Sequence, residues 1–467
     1  MNQNRVSEPL LSQRSGEWDA KARPEGLRWL SLVVFSFLNF SNAVLWITFA
    51  PISSLTEDRF GITPAEVNIL SIVFMIMYIP GSVLASWVFQ KYGSRRGILL
   101  AGLGNVVGSF IRCLALLDSK KFGFWFLLLG QIIAASAQPF FTNFPAKLSS
   151  IWFPIEERDI ATTIAVSFNP IGCAIGTVVP PILVSKNGGM TTLLLSEAIL
   201  QLVLFFAAIL LFAEEPRVPP SRTAFVRRES RHLSRIETGS EILHAQVIGK
   251  QIQDCLKNRN FILLALSYGM SLGILNAFFT IINQITRPAG YTDDDAGLFG
   301  FALIATGMVG AMLFGTLMNK IQRYNQLLKL GFVFTAALTL LVVLEIRPNN
   351  TTMLLICFAG AGFFSMPLSV VAFSCGVECM YPVEEEITTG ILMSSGQIFG
   401  IVLTLVIGWL ISIQPDYGDS YVFEKSYIVV TSISFVAAGF SLLYNGPYKR
   451  LENDAESSST FETTSQT

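Results

Sequence analysis

The sequence predicts an all-α membrane protein of twelve transmembrane helices arranged as two six-helix bundles. Three observations predict it. Of the 467 residues 52% are hydrophobic and only 14% are charged, where ordinary soluble chains carry about 25%. The apolar residues gather in twelve continuous runs, each meeting or approaching the roughly 20 residues that a helix needs to cross a bilayer core. One basic stretch, 214–258, divides those runs six and six. The mean hydropathy is +0.54. Continuous runs exclude a transmembrane barrel, whose strands alternate. The charge deficit excludes a soluble enzyme with charge all round its surface, and so much apolar surface excludes disorder over most of the chain. A net charge of −1 leaves no basic footprint for nucleic acid.

The runs lie near 28–50, 68–90, 97–117, 122–148, 160–184 and 191–213, then 260–285, 296–318, 327–346, 351–376, 387–413 and 425–445. They define a polar tail over 1–27, a first bundle over 28–213, a linker over 214–258, a second bundle over 259–445 and a second tail over 446–467. The polar start leaves no cleavable signal peptide ahead of the first run. The linker holds six arginines, from Arg217 to Arg235, and both histidines, His232 and His244. It is expected to be a flexible cytosolic connector; an amphipathic piece on anionic lipid is the alternative.

Charge orients the chain. The two tails, the linker and the loops on their side hold 24 of the 32 Lys and Arg, the opposite loops hold 7, and Arg112 lies inside a run. Such a split places both termini in the cytosol. The opposite side carries Asn349-Asn350-Thr351-Thr352, two overlapping glycosylation sequons at Asn349 and Asn350.

No catalytic set can be assembled, because no His lies in an apolar run, and no phosphate-binding loop of a nucleotide-driven pump occurs. Six cysteines fall mostly in apolar runs, so neither a disulfide framework nor a metal site is expected. No cofactor is called for. The chemistry lies in neutral polar residues within the runs: Asn42 and Trp46 on one face of the first, Gln131 and Gln138 in the fourth, Asn169-Pro170 in the fifth, Asn276, Asn283 and Gln284 in the seventh, and Gln397 in the eleventh. An amide in hydrocarbon needs a partner or water. One amide alone reads as glue between helices; several, with a Trp, over the first, fourth, seventh and eleventh runs read as a shared water-filled cavity. Those four runs have no Asp or Glu at their middles, so uncoupled passage is expected. Arg112, Glu197 and Glu345 lie near the outer surface, within reach of water, and an Arg112–Glu197 pair is one alternative for the first two.

These residues also carry a resemblance. Asn39-Phe40-Ser41-Asn42-Ala43-Val44-Leu45-Trp46 with Phe49-Ala50-Pro51, Gln131 through Gln138-Pro139, Phe144-Pro145-Ala146-Lys147, Trp152-Phe153-Pro154, Ser167-Phe168-Asn169-Pro170-Ile171-Gly172, Val377-Glu378-Cys379, Tyr381-Pro382-Val383 and Thr389-Gly390 with Gln397 resemble the solute carrier 49 family of the major facilitator superfamily, which includes the feline leukaemia virus subgroup C receptor-related transporters. The resemblance implies the major facilitator superfamily fold and alternating access. It implies a small organic solute: choline or ethanolamine in one branch, pyridoxine in another, haem proposed for several. The family's pocket residues fall on Trp46, Gln138 and Gln397. A Tyr that choline carriers place in the seventh helix is replaced by Asn276, which removes half of an aromatic cage. The Asp that begins the superfamily's loop between the second and third helices is replaced by Gln90, and its counterpart in the second half by Asn319. A cytosolic gate then rests on Arg95, Arg96, Arg158, Glu378 and Glu385.

The expectation is thus a monomeric, multi-pass transporter of a small organic solute in the lipid bilayer, with Trp46, Gln138, Gln397, Asn42, Asn276 and Asn169 binding the solute, by uniport. The alternatives are a haem transporter, disfavoured by histidines confined to the linker, and a non-transporting receptor or scaffold, disfavoured by the amides. Glu8-Pro9-Leu10-Leu11 resembles an acidic dileucine address, which leaves the plasma membrane and the vacuole or lysosome both open.

Overall fold

The computed structural model describes residues 26–117, 121–154, 157–186, 189–216, 240–321, 323–383, 385–413 and 424–449. Within them the side chains of Gln90, His244, Asn319 and Glu385 are not described, and His232 lies outside the described residues. Every regular element described is a helix.

Twelve helices are long and apolar enough to cross a membrane. The first span is α1 (Leu27–Ile47). It stops three residues short of the expected end because Pro51 turns the backbone before it out of helix. A short helix, α2 (Ser53–Phe60), closes on Gly61 in the left-handed conformation. The second span, α3 (Pro64–Lys91), begins a turn earlier than its apolar run. Thr63 caps it, accepting from the Glu66 amide while Glu66 accepts from Thr63, with Pro64 at the first helical position. Then come α4 (Ser94–Leu114) and α5 (Lys121–Thr142). The run expected to reach 148 is cut, and Pro145 starts a separate helix, α6 (Pro145–Trp152). The fifth and sixth spans are α7 (Arg158–Lys186) and α8 (Met190–Leu211).

The expectation of a flexible connector does not hold for Ser240–Lys257: there the linker forms a helix, α9, which packs against the seventh and eleventh spans, with Cys255 buried. The second half continues with α10 (Arg259–Thr286), α11 (Asp293–Ile321), α12 (Tyr324–Glu345), α13 (Thr351–Ser365), α14 (Pro367–Met380), α15 (Glu385–Ile413) and α16 (Glu424–Leu443). The tenth span is α13 and α14 together, interrupted where Pro367 removes an amide donor.

Close approach organises each half. A Cβ on Gly108 would lie 2.6 Å from the Gly130 carbonyl, and one on Gly130 would lie 2.5 Å from that of Gly108. Only glycines let α4 and α5 meet backbone to backbone, the small-residue packing of membrane helices. The two halves meet where α3 packs on α15 and α7 packs on α11. Outward-facing apolar side chains such as Leu210, 79% exposed, suit a lipid surround.

Candidate functional site

The amides expected to share one cavity fall into three groups. Near the end of α1, Trp46 meets Phe279 on α10 edge to face, ring centroids 6.2 Å apart at 86°. One turn from Phe279, the Asn276 Nδ2 donates to Gln397 Oε1 of α15 at 3.5 Å. Gly400 lies beside them, where a Cβ would be 3.0 Å from the sulfur of Met75 on α3 and 3.2 Å from Asn276 Nδ2. This layer therefore draws on both halves. Trp46, Gln138, Asn276 and Gln397 are each at least nine-tenths buried. The indole Nε1 of Trp46 has no hydrogen-bond partner, a donor that burial makes costly to leave unmade. Gln138 lies on α5 beside Pro139, which packs against Gly81.

A second group stitches the first half together. Asn42 is fully buried, its Nδ2 donating to Asn105 Oδ1 at 2.9 Å and to the Ala134 carbonyl at 3.1 Å. It binds α1 to α4 and α5 through its Nδ2, while its Oδ1 has no hydrogen-bond partner. Asn169 Nδ2 donates to Asn39 Oδ1, and Asn39 Nδ2 to the Ala165 carbonyl, so this amide links α7 to α1. Gln131 likewise donates to the carbonyls of Leu45 and Leu70. Such contacts are worth about 0.6 to 2 kcal/mol each.

The third group closes the end opposite the linker, here called the outer end. Gln284 Nε2 donates to Asn68 Oδ1 at 2.8 Å, and Asn68 Nδ2 to Gln284 Oε1 at 3.2 Å. Gln284 also reaches Ser53 Oγ at 3.3 Å. Asn283 Nδ2 donates to the Pro51 carbonyl, and Ser54 Oγ to Asn283 Oδ1. Every one of these bonds joins the two halves. Beside them, Arg287 stands 3.9 Å from Glu57. Burial is the largest influence on the Glu57 carboxyl and pushes it above the ordinary range, against the opposing pull of Ser53 and Arg287. Below, Gly297 and Gly300 of α11 pack on Thr177 of α7. Sequence reasoning missed Asn68, Ser53 and Ser54. The one signal for them was a short polar turn between two spans.

The Arg112–Glu197 pair forms. Arg112 Nη2 lies 2.8 Å from Glu197 Oε2, and the two residues are 1% and 5% exposed. Both sit inside the first half rather than reaching toward water as expected.

At the linker end, Glu214 accepts from the backbone amides of Ser94 and Arg95 at 2.6 and 2.8 Å, capping α4. The Arg95 guanidinium donates to the Ile209 carbonyl at 2.8 Å. Arg95 thus bonds within the first half. Arg96 is exposed. Arg158 donates to the carbonyls of Phe153 and Ser150. Glu378 is buried at the end of α14, and the Glu385 side chain lies outside the described residues. Asn349 is exposed, with a φ of 57°, while the Asn350 Nδ2 donates to Glu345 Oε2 at 2.7 Å. Among the described residues no three His, Cys, Asp or Glu gather to hold a metal.

Two helical halves that meet around a buried aromatic and amide layer, sealed at one end, define a membrane transporter of the two-bundle class. Residues 35–382 match the Major Facilitator Superfamily. Solute carrier family 49 member A3 of Xenopus tropicalis is 32% identical over 443 residues, covering 91% of this chain and 88% of that protein. The choline/ethanolamine transporter FLVCR1 of Mus musculus is 30% identical over 446 residues, covering 91% and 76%. In fold, the chain is similar to a bacterial homologue of the human lysosomal transporter Spinster, with a TM-score of 0.65 and 14% identity over 90% of this chain and 98% of that one. The chain belongs to the solute carrier 49 family of the major facilitator superfamily.

Proposed function

We propose that this transporter carries a small organic solute of the choline, ethanolamine or vitamin-like class by alternating access, without coupling to an ion gradient. The observation that carries the reading is the buried layer of Trp46, Phe279, Asn276 and Gln397, drawn from both halves and holding no carboxylate. A Trp face attracts a quaternary ammonium with up to about 2 kcal/mol when desolvated, and the amides suit a hydroxyl. Relatives named as choline/ethanolamine transporters support the class. Gln138 joins the layer from α5 on the family's pattern. The absence of coupling is supported by Glu197, whose carboxylate is committed to Arg112 within helix packing.

The charge split supports cytosolic termini and linker, and hence an extracytosolic outer end. Opening at the cytosolic end is read onto Arg95, Arg96, Arg158, Glu378 and Glu385. The chain works as a monomer in the plasma membrane or the vacuolar or lysosomal membrane.

The test is uptake of radiolabelled choline, ethanolamine, pyridoxine and haem into vesicles holding the purified protein. Saturable uptake of one of the first three, unaffected by collapsing the proton gradient, is expected. Uptake of none of those three would overturn the reading.

A further inference from the structure

The loop that closes the outer end begins where α1 stops, and a buried ion pair grips that point. Glu197 Oε1 of α8 lies 2.7 Å from Thr48 Oγ1, the residue that follows α1. The Thr48 hydroxyl has one proton and two acceptors in range, since the Val44 carbonyl is at 2.8 Å. A carboxylate paired with arginine is the stronger acceptor. Arg112 of α4, which holds the other Glu197 oxygen at 2.8 Å, also stands 4.9 Å over the ring of Phe49. Residues 48 and 49 are therefore held from two other helices of the first half. Two to six residues on, Pro51, Ser53 and Ser54 make the bonds to Asn283 and Gln284.

We infer that Thr48, Glu197 and Arg112 are positioning residues of the transport cycle: the ion pair fixes the end of α1 so that the following turn presents its hydrogen-bonding groups to the second half, and releasing Thr48 favours opening at the outer end. No part of the trio needs to touch the solute. The pair's burial also explains its chemistry. Two charges in hydrocarbon cost much to desolvate, and a neutral packing contact would hold helices as well. A charged acceptor, by contrast, sets the direction of one hydroxyl. The inference rests on the alternating-access reading.

The test uses Thr177, 1% exposed and packed against Gly297 and Gly300 of the other half. Thr177→Cys, in a chain with Cys113→Ser because Cys113 is the free cysteine that is not buried, reports opening through its rate of labelling from outside by an impermeant maleimide. Thr48→Val should raise that rate on the order of tenfold, as loss of a hydrogen bond to a charged group implies. Thr48→Ser, which keeps the hydroxyl, should leave it at the parent rate. A role in stability alone would not produce sided labelling that the conservative variant reverses. If Thr48→Val expresses poorly, Thr48→Ala is read in its place. Labelling of both hydroxyl-free variants at the parent rate, or of Thr48→Ser as fast as of Thr48→Val, overturns the inference. Outer opening is itself read from the parent: a parent that labels slowly but measurably keeps alternating access even if Thr48 has no effect, whereas no labelling in any variant overturns both.

Discussion

The side chains of Asn68 and Gln284 exchange two hydrogen bonds across the boundary between the halves, at 2.8 and 3.2 Å. Each amide thereby serves as donor and acceptor to the other, and both are at least nine-tenths buried. Asn68→Ala and Gln284→Ala should each increase outer-end labelling at Thr177→Cys. The double variant should fall short of the sum of the two, with a coupling of about 0.5–1.5 kcal/mol. Additive effects would show that the two amides act separately.

The pocket makes a prediction about solute charge. Trp46→Ala should reduce uptake of a cationic solute about tenfold or more, equivalent to roughly 1.4 kcal/mol, and Trp46→Phe should keep part of it. Gln397→Ala should harm a hydroxylated solute more than one without a hydroxyl, since the hydroxyl loses its partner. Unchanged uptake of every solute by both alanine variants, at normal surface expression, would count against this layer as the binding site.

Removing one member of the buried ion pair leaves an uncompensated charge. Glu197→Ala should lower stability by about 3–5 kcal/mol, whereas replacing both residues, as Arg112→Met with Glu197→Met, should recover most of the loss. Unfolding of the purified protein in detergent measures this. A double variant no more stable than Glu197→Ala would speak against desolvation as the dominant cost.

Of the two overlapping sequons, Asn349 presents an exposed side chain, while the Asn350 amide is held by Glu345. Asn349→Gln should abolish a glycosidase-sensitive mobility shift on gels, and Asn350→Gln should leave it. The reverse pattern would show that the Glu345 contact opens before modification.

Much of the fold was legible because a bilayer makes one demand, a continuous apolar run, and twelve runs meet it. The ends of spans were less so. Pro145 and Pro367 cut runs that hydropathy alone carries through, and α1 stops ahead of Pro51, three residues before its run does. The site was legible by residue type and not by facing. Asn42 and Trp46 share a helical face at i, i+4, yet the Asn42 Nδ2 donates to Asn105, a residue 63 positions away. Asn283 and Gln284 read as cavity amides, but α10 continues to Thr286 and carries them to the outer closure. Partners distant in sequence decided each case, and periodicity holds no information on them.

Acidity should act on the outer end through Glu57. Its carboxyl titrates above the ordinary 4.5 when packed there, so the packed state takes up a proton more readily. The resulting stabilisation is full below 4.5 and is lost as pH rises through the raised value. Labelling at Thr177→Cys should slow on acidification, and Glu57→Gln should flatten that response. An identical pH profile in the parent and in Glu57→Gln would place the titrating group elsewhere.

Because α9 packs on the seventh and eleventh spans, the stretch from Ser240 onward belongs to the second half, just as Glu214, by capping α4, assigns the start of the linker to the first. Among the described residues, the first half then ends at Pro216 and the second begins at Ser240, well before the first residue of the seventh span. A gene divided between those two residues would give two polypeptides, each keeping all of its own described helices, and the pair is suited to reassembly in one membrane. A division at 258 would instead strand a buried cysteine and its helix on the wrong fragment.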